Sequence, residues 1–435
     1  MDLGLRRGDL AQADKLLADA VAVYPDYAGV LQATRAHLQV VTTRLPDPQL
    51  LVDAGSAADA LNVEALQSTR AEVLLASGQI AGAEAELAEF APTDVRFQLS
   101  AELSRALAMI FAGRVEEGVG HALGNARDAR ADLDPGAYQA HAYVAGLGLT
   151  ILGRLDECDA LLSSVLGLPN SQTLQTHFRN GALTLAAVVA SFQGRAAYAK
   201  GLAEQAEALG APRGPYPAMA PDMASILVRG PGVESSDMLW EMVTERMSAG
   251  MVVSAVTIAV AALERQPDAE RAAWLVEQVQ GSDSVLVHLL ADYCVAVGSQ
   301  DIAKLASSAA DLRAADLRLY ATRAGVTRAL ALRATGAFDE AAAQSEASWN
   351  EASVFAGDLR GLFGPLAKAV DLTAREREIA VMVSEGMQTS EIATALVLSV
   401  RTVENHLLNA FRKVGVDNRE SLARAVDTWA SVAVA

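Results

Sequence analysis

Between positions 399 and 414 the chain reads SVRTVENHLLNAFRKV, and its polar residues fall on one side of an amphipathic stretch. Val403, Leu407, Ala410, Phe411 and Val414 recur at steps of three and four, which places them together on one face of a helix. With that face turned inward, Arg401, Thr402, Glu404, Asn405, Leu408, Asn409 and Arg412 point outward. Arg401, Thr402, Arg412 and Lys413 are types that bond phosphate oxygens. Ser399 and Thr389, each at an expected helix start, add hydroxyls and free amides where an anion is favoured. Asn405 and Asn409 can donate and accept together at an adenine edge, and Glu404 can accept from cytosine N4. These groups suit contact with double-stranded DNA.

Such a rod needs a brace. Thr373 and Glu376 have the spacing of a capping box, in which side chain and backbone satisfy each other at a helix start. The helix they open turns Ile379, Ala380 and Val383 inward and closes at Gly386. Thr389 is expected to cap a short second helix carrying Ile392, Ala393 and Leu396, and a tight turn through Val397 and Leu398 leads to Ser399, the cap of the third. Gly415 ends that helix, and Asn418 starts a fourth with Leu422, Ala425 and Val426 on its apolar side. A short helix joined by a tight turn to a longer one is the geometry that lays the longer one in the major groove while the shorter braces it.

The stretches LTAREREIA, SEG, SEIATAL, LS, RTVENHL and RKVGV resemble the LuxR-type helix-turn-helix domain, whose pattern runs LTxREREVL, EG, EIA, L, S, TVxxH and KLGV. The resemblance implies a four-helix domain from Asp371 to Asp427 whose third helix reads DNA, with Glu404, Asn405 and Leu408 facing the bases. It also implies pairing of two copies through the fourth helix, near Leu422 and Val426. Members often carry basic residues where this chain has Glu404 and Leu408, so a modest but selective affinity is expected. A paired domain would read half-sites about one helical turn, roughly 34 Å, apart.

Upstream, a short phrase recurs: Gly, a polar or small residue, then small and acidic residues leading into an Ala-rich helix. It occurs at Gly8, Gly78, Gly113, Gly153, Gly194 and Gly336, with looser copies near Gly250 and Gly298. From Gly78 onward the steps are 35, 40, 41, 56, 48 and 38 residues. Each glycine is expected to end a helix in the left-handed conformation that a Cβ disfavours, so that each period is a helical hairpin. One hairpin cannot bury its apolar face, and neighbours must stack. The pattern resembles tetratricopeptide repeats, with looser spacing and few of the signature aromatics; a non-repetitive helical bundle is the alternative. Five prolines at 212, 215, 217, 221 and 231 interrupt the array around 209–237, as a joint or a ligand-facing loop.

The fold class expected is all-α: a tetratricopeptide-like α-solenoid over 1–355, a linker over 356–370, and a four-helix LuxR-type domain over 371–430. Apolar residues make up 51% of the chain and aromatics only 5%, which favours helix-on-helix packing. Repeats followed by such a module resemble the C-terminal half of the large ATP-dependent LuxR-family regulators of the maltose-regulator type. The nucleotide-binding domain of that group has no counterpart here. A short natural protein and a fragment both account for this, and no ATP switch is carried over.

Enzyme chemistry finds no foothold in the sequence. None of the five lysines follows a glycine, which excludes a phosphate-cradling GxxxxGK[ST] loop, and there is no GxSxG elbow. Cys158 and Cys294 lack CxxC partners and read as core thiols, while His37, His121, His141, His177 and His288 lie too far apart for a ligand pattern. Neither metal nor cofactor is expected. The N-terminus has no apolar signal core and no run is long enough to span a bilayer, which points to the cytoplasm. Net charge is −18; residues 371–430 carry seven Lys plus Arg against nine Asp plus Glu, a net −2, leaving −16 to residues 1–370. Attraction to DNA must come from a local face. The function expected is a sequence-specific transcription regulator whose repeats sense a small effector or a protein partner; the alternative is a repeat scaffold that sequesters another regulator, its DNA-binding module vestigial.

Overall fold

Glycines in the left-handed conformation set the rhythm of the molecule. In a computed structural model, residues 10–40, 45–46, 50–51, 60–168, 176–209, 214–228, 233–354, 361–363, 366, 372–414, 416 and 418–429 are described. The first ten α-helices are α1 (Leu10–Val23), α2 (Ala28–Val40), α3 (Ala60–Ala76), α4 (Ile80–Ala88), α5 (Val95–Phe111), α6 (Val115–Ala131), α7 (Pro135–Ile151), α8 (Leu155–Leu166), α9 (Thr176–Phe192) and α10 (Ala196–Ala208). Eight more follow: α11 (Pro221–Val228), α12 (Val233–Ser248), α13 (Val252–Arg265), α14 (Ala269–Gln278), α15 (Val285–Ser299), α16 (Ile302–Ala314), α17 (Arg318–Ala334) and α18 (Phe338–Ala352). The last four are α19 (Ala374–Ser384), α20 (Thr389–Ala395), α21 (Val400–Val414) and α22 (Arg419–Trp429). Among the described residues there is no strand, and no helix there is long and apolar enough to cross a membrane.

Gly78, Gly113, Gly153, Gly194, Gly250 and Gly336 have φ between +75 and +87°, and each ends a helix as expected. At each, the next amide reaches back to the final turn, as Arg114 N does to Met109 O (2.9 Å) and Arg154 N to Leu149 O (2.9 Å). Three further closures lack glycine: Leu133, Gln300 and Asp316 take φ of +58, +53 and +61°. Gly298, expected at one of these turns, lies inside α15 instead, where a Cβ would meet the Asp268 carbonyl. Gly8 lies outside the described residues.

Successive hairpins pack side by side, and the array then meets itself: α3 touches α13, α5 touches α15 and α7 touches α17. Asp283 makes the closure specific. Its carboxylate accepts from Ile80 N (2.5 Å) and Ala81 N (3.1 Å), capping α4 from about two hundred residues away. Ser282 donates to the Gly78 carbonyl (2.8 Å) and Ser284 to the Phe111 carbonyl (2.8 Å). A side chain at Gly78 would strike Ser282, and one at Gly113 would press on Val285, so these turns need glycine for space as well as for φ.

As a result α7 is enclosed, with every residue from Tyr138 to Ile151 buried. Two irregular segments help to fill the interior. All of 214–220 is buried, with the Tyr143 hydroxyl donating to the Pro217 carbonyl (2.5 Å) and Arg246 to the Gly214 carbonyl (2.6 Å). Within the expected linker, Leu362, Phe363 and Leu366 are buried against the array, Phe363 edge-on to Trp349 at 5.1 Å; apart from these and Gly361, 355–371 lies outside the described residues. Both cysteines are buried thiols, and burial pushes Cys158 up to about 12.

Replacing Asp283 by Ala should remove the cap on α4 and lower stability by about 1–2 kcal/mol, the usual range for a lost N-cap carboxylate. Urea unfolding of the Asp283→Ala chain measures this; an unchanged midpoint would mean that the closure does not depend on it.

Candidate nucleic-acid interface

Residues 372–429 form a second, smaller core, built from Leu372, Ile379, Ala380 and Val383 before α20, Ile392 and Ala393 on it, and Val403, Leu407, Ala410, Val414, Leu422 and Val426 beyond. Thr373 opens α19 with the expected capping box: its hydroxyl accepts from Glu376 N (3.3 Å), and its own N–H donates to the Glu376 carboxylate (2.8 Å). Gly386, at φ +83°, closes the helix. The cap of α20 is Gln388 rather than Thr389, because Gln388 N donates to Glu391 (2.7 Å) and Thr389 becomes the first helical residue. Thr389 accepts from Arg419 (3.4 Å), whose guanidinium also donates to the Met387 carbonyl. Arg419 thus ties the start of α22 to the start of α20, a role that sequence reading missed because nothing local marks it.

The turn into α21 passes through Val397 at φ +55°, a conformation that a β-branched residue strongly disfavours. Ser399 then caps α21, accepting from Thr402 N (3.1 Å), and Asn418 caps α22 by accepting from Ser421 N (2.8 Å). With Val403, Leu407, Ala410 and Val414 buried, Arg401, Glu404, Asn405 and Leu408 form one exposed stripe along α21, and Asn409 lies exposed beside them. Leu408 is 62% exposed, unusual for a leucine. Ser399 is exposed, and Thr402 and Thr389 are half-buried. The side chain of Arg412 lies outside the described residues.

Lys413 turns inward: its ammonium bonds Glu376 at 2.7 Å. Burial alone would raise the Glu376 carboxyl, but Lys413 and Thr373 outweigh it and hold its pKa below the usual carboxylate range. The pair pins the end of α21 to the start of α19. Leu422 and Val426, expected near a pairing surface, are 0% and 1% exposed inside the core, so their side chains offer nothing to a second copy.

A helix with a buried apolar face, a free polar stripe and a shorter brace ahead of it is a helix-turn-helix. The profile of the family described as bacterial regulatory proteins, luxR family, matches residues 370–426. Those residues are a LuxR-family domain. Similar stretches occur in the transcriptional regulatory protein UhpA of Escherichia coli, 46% identical over 59 residues, which are 13% of this chain and 30% of UhpA. The monoamine regulon transcriptional regulator of Klebsiella aerogenes is 48% identical over 58 residues, 13% of this chain and 25% of that protein. The spore germination protein GerE of Bacillus subtilis is 46% identical over 48 residues, 11% of this chain and 65% of GerE. The chain thus spans less than two thirds of each of these relatives, and the likeness lies in the LuxR-type domain.

Val397→Asn should relieve the turn of the LuxR-type domain. The side chain is 90% exposed and gives up little packing, and asparagine tolerates the left-handed region, so a gain of about 0.5–1 kcal/mol is expected. Thermal unfolding checks this, and a loss of stability would show that valine is not strained there.

Proposed function

We propose that the chain is a sequence-specific DNA-binding transcription regulator with α21 as its reading helix. The observation that carries this is the exposed stripe Arg401, Glu404, Asn405 and Leu408 on a braced helix of the LuxR-type domain. Glu404, Asn405 and Asn409 address base edges, and Leu408 meets a thymine methyl. Arg401, Thr402, Ser399, Thr389 and Arg412 address phosphates and fix the register. Lys413, held by Glu376, contributes chiefly by fixing the end of α21. Two copies on one site would pair through surfaces other than Leu422 and Val426.

The array is read as the sensor. Support comes from its interior: Asn180 and Thr184, one turn apart on α9 and both 0% exposed, have no hydrogen-bond partner for either amide atom or for the hydroxyl, and the buried Tyr216 hydroxyl has none either. Buried polar groups of this kind are normally met by water or a ligand. Their chemistry is that which an uncharged, hydrogen-bonding small molecule would satisfy.

Fluorescence titration of a labelled genomic-fragment pool tests the DNA reading. Asn405→Ala should cost about 1–3 kcal/mol at selected sequences, while Arg401→Ala should weaken all sequences alike and reduce the salt slope by about one. Equal binding by wild type and the Arg401→Ala, Asn405→Ala double variant would remove the reading.

A further inference from the structure

The last hairpin of the array lies against the LuxR-type domain, α18 touching both α21 and α22. Arg333, at the end of α17, donates to the Lys413 carbonyl at 2.7 Å and to the Val414 carbonyl at 3.4 Å. These are terminal carbonyls of α21, which a helix end leaves unpaired and where a cation is favoured. The same guanidinium lies over the Phe338 ring at 5.4 Å. On α18, Glu346 pairs with Arg424 of α22 at 3.1 Å. The array therefore grips the end of the reading helix and one side of α22, while the stripe from Arg401 to Leu408 stays exposed.

Two features make this grip a restraint on DNA binding. The first is charge. Helix α18 carries Asp339, Glu340, Glu346 and Glu351 and no basic residue, and the first three are exposed. Asp339 and Glu340 directly follow Phe338, whose ring lies beneath Arg333, at the end of α21 assigned to phosphate. Residues 1–370, net −16, stand behind them, so a phosphate backbone approaching the docked domain meets a field of its own sign. The second is an unmet donor: the Nε of Arg333 is buried with no hydrogen-bond partner, a cost that release removes.

We propose that α17 and α18 form an acidic clamp that holds the LuxR-type domain in a state of weak DNA affinity. Separating Arg333 from α21 and Glu346 from Arg424 raises that affinity. The inference rests on the reading of α21 as the DNA-binding helix.

The test uses the full chain with spin labels on cysteines introduced at two exposed positions, Ala343 on α18 and Ser390 on α20. The DNA probe is a pool of fluorescent duplexes of random sequence at low salt. Wild type should give one narrow label distance. Arg333→Ala and Glu346→Arg should broaden it and bind the pool on the order of 5-fold more tightly, a modest allosteric coupling. The exchange Glu346→Arg with Arg424→Glu, which leaves net charge unchanged, should restore both the narrow distance and the weak binding. Arg333→Ala is decisive because it removes a cation: simple charge attraction would make it bind DNA more weakly, and the clamp makes it bind more tightly. An unchanged distance, or a broadened one with equal or weaker binding, overturns the clamp. Binding by wild type that the variants do not improve leaves the DNA reading standing, whereas failure of every released chain to bind any duplex overturns both.

Discussion

The array is organised by the need to cover helices too apolar to face water. Helix α7 has no exposed side from Tyr138 to Ile151, and a hairpin partner can shield only part of such a rod. Its neighbours α6, α8 and α9 cover most of its surface, α5 adds to them, and α17 completes the cover when the chain curls back. Burial of this kind is non-directional, contributing roughly 25 cal/mol per Å² of apolar surface, so it demands closure without specifying the register. Directional contacts supply the register: Asp283 on the start of α4, and Ser282 and Ser284 on the Gly78 and Phe111 carbonyls.

Closure changes what the repeats can offer. An open array presents a concave surface to partners. Here the inner helices face one another, and 214–220 with Leu362, Phe363 and Leu366 occupy space between them. The interior is mostly apolar, with the unmet groups of Asn180, Thr184 and Tyr216 among its polar exceptions.

The LuxR-type domain solves the opposite problem. Its core is small, and much of its definition comes from hydrogen bonds at helix ends: Thr373 with Glu376, Ser399 with Thr402, Asn418 with Ser421, and Arg419 across to Met387. Those contacts leave the outer side of α21 free. Because the domain is nearly neutral and the array strongly acidic, the placement of one against the other decides the field at the reading helix.

The sequence alone was enough for whatever depends on a few neighbouring residues. Six glycine closures, the Thr373 capping box, the inward face of α21 and the caps at Ser399 and Asn418 were legible because each involves residues within about a turn of one another. The closures at Leu133, Gln300 and Asp316 were not, since packing forces a left-handed turn there on residues that do not advertise it. Tertiary structure alone decided the inward turn of Lys413, the burial of Leu422 and Val426 within the domain, the contact of Asp283 with α4, and the grip of Arg333 on α21. Those pairings join residues tens to hundreds of positions apart, chosen by how apolar faces pack, and no local pattern carries that information.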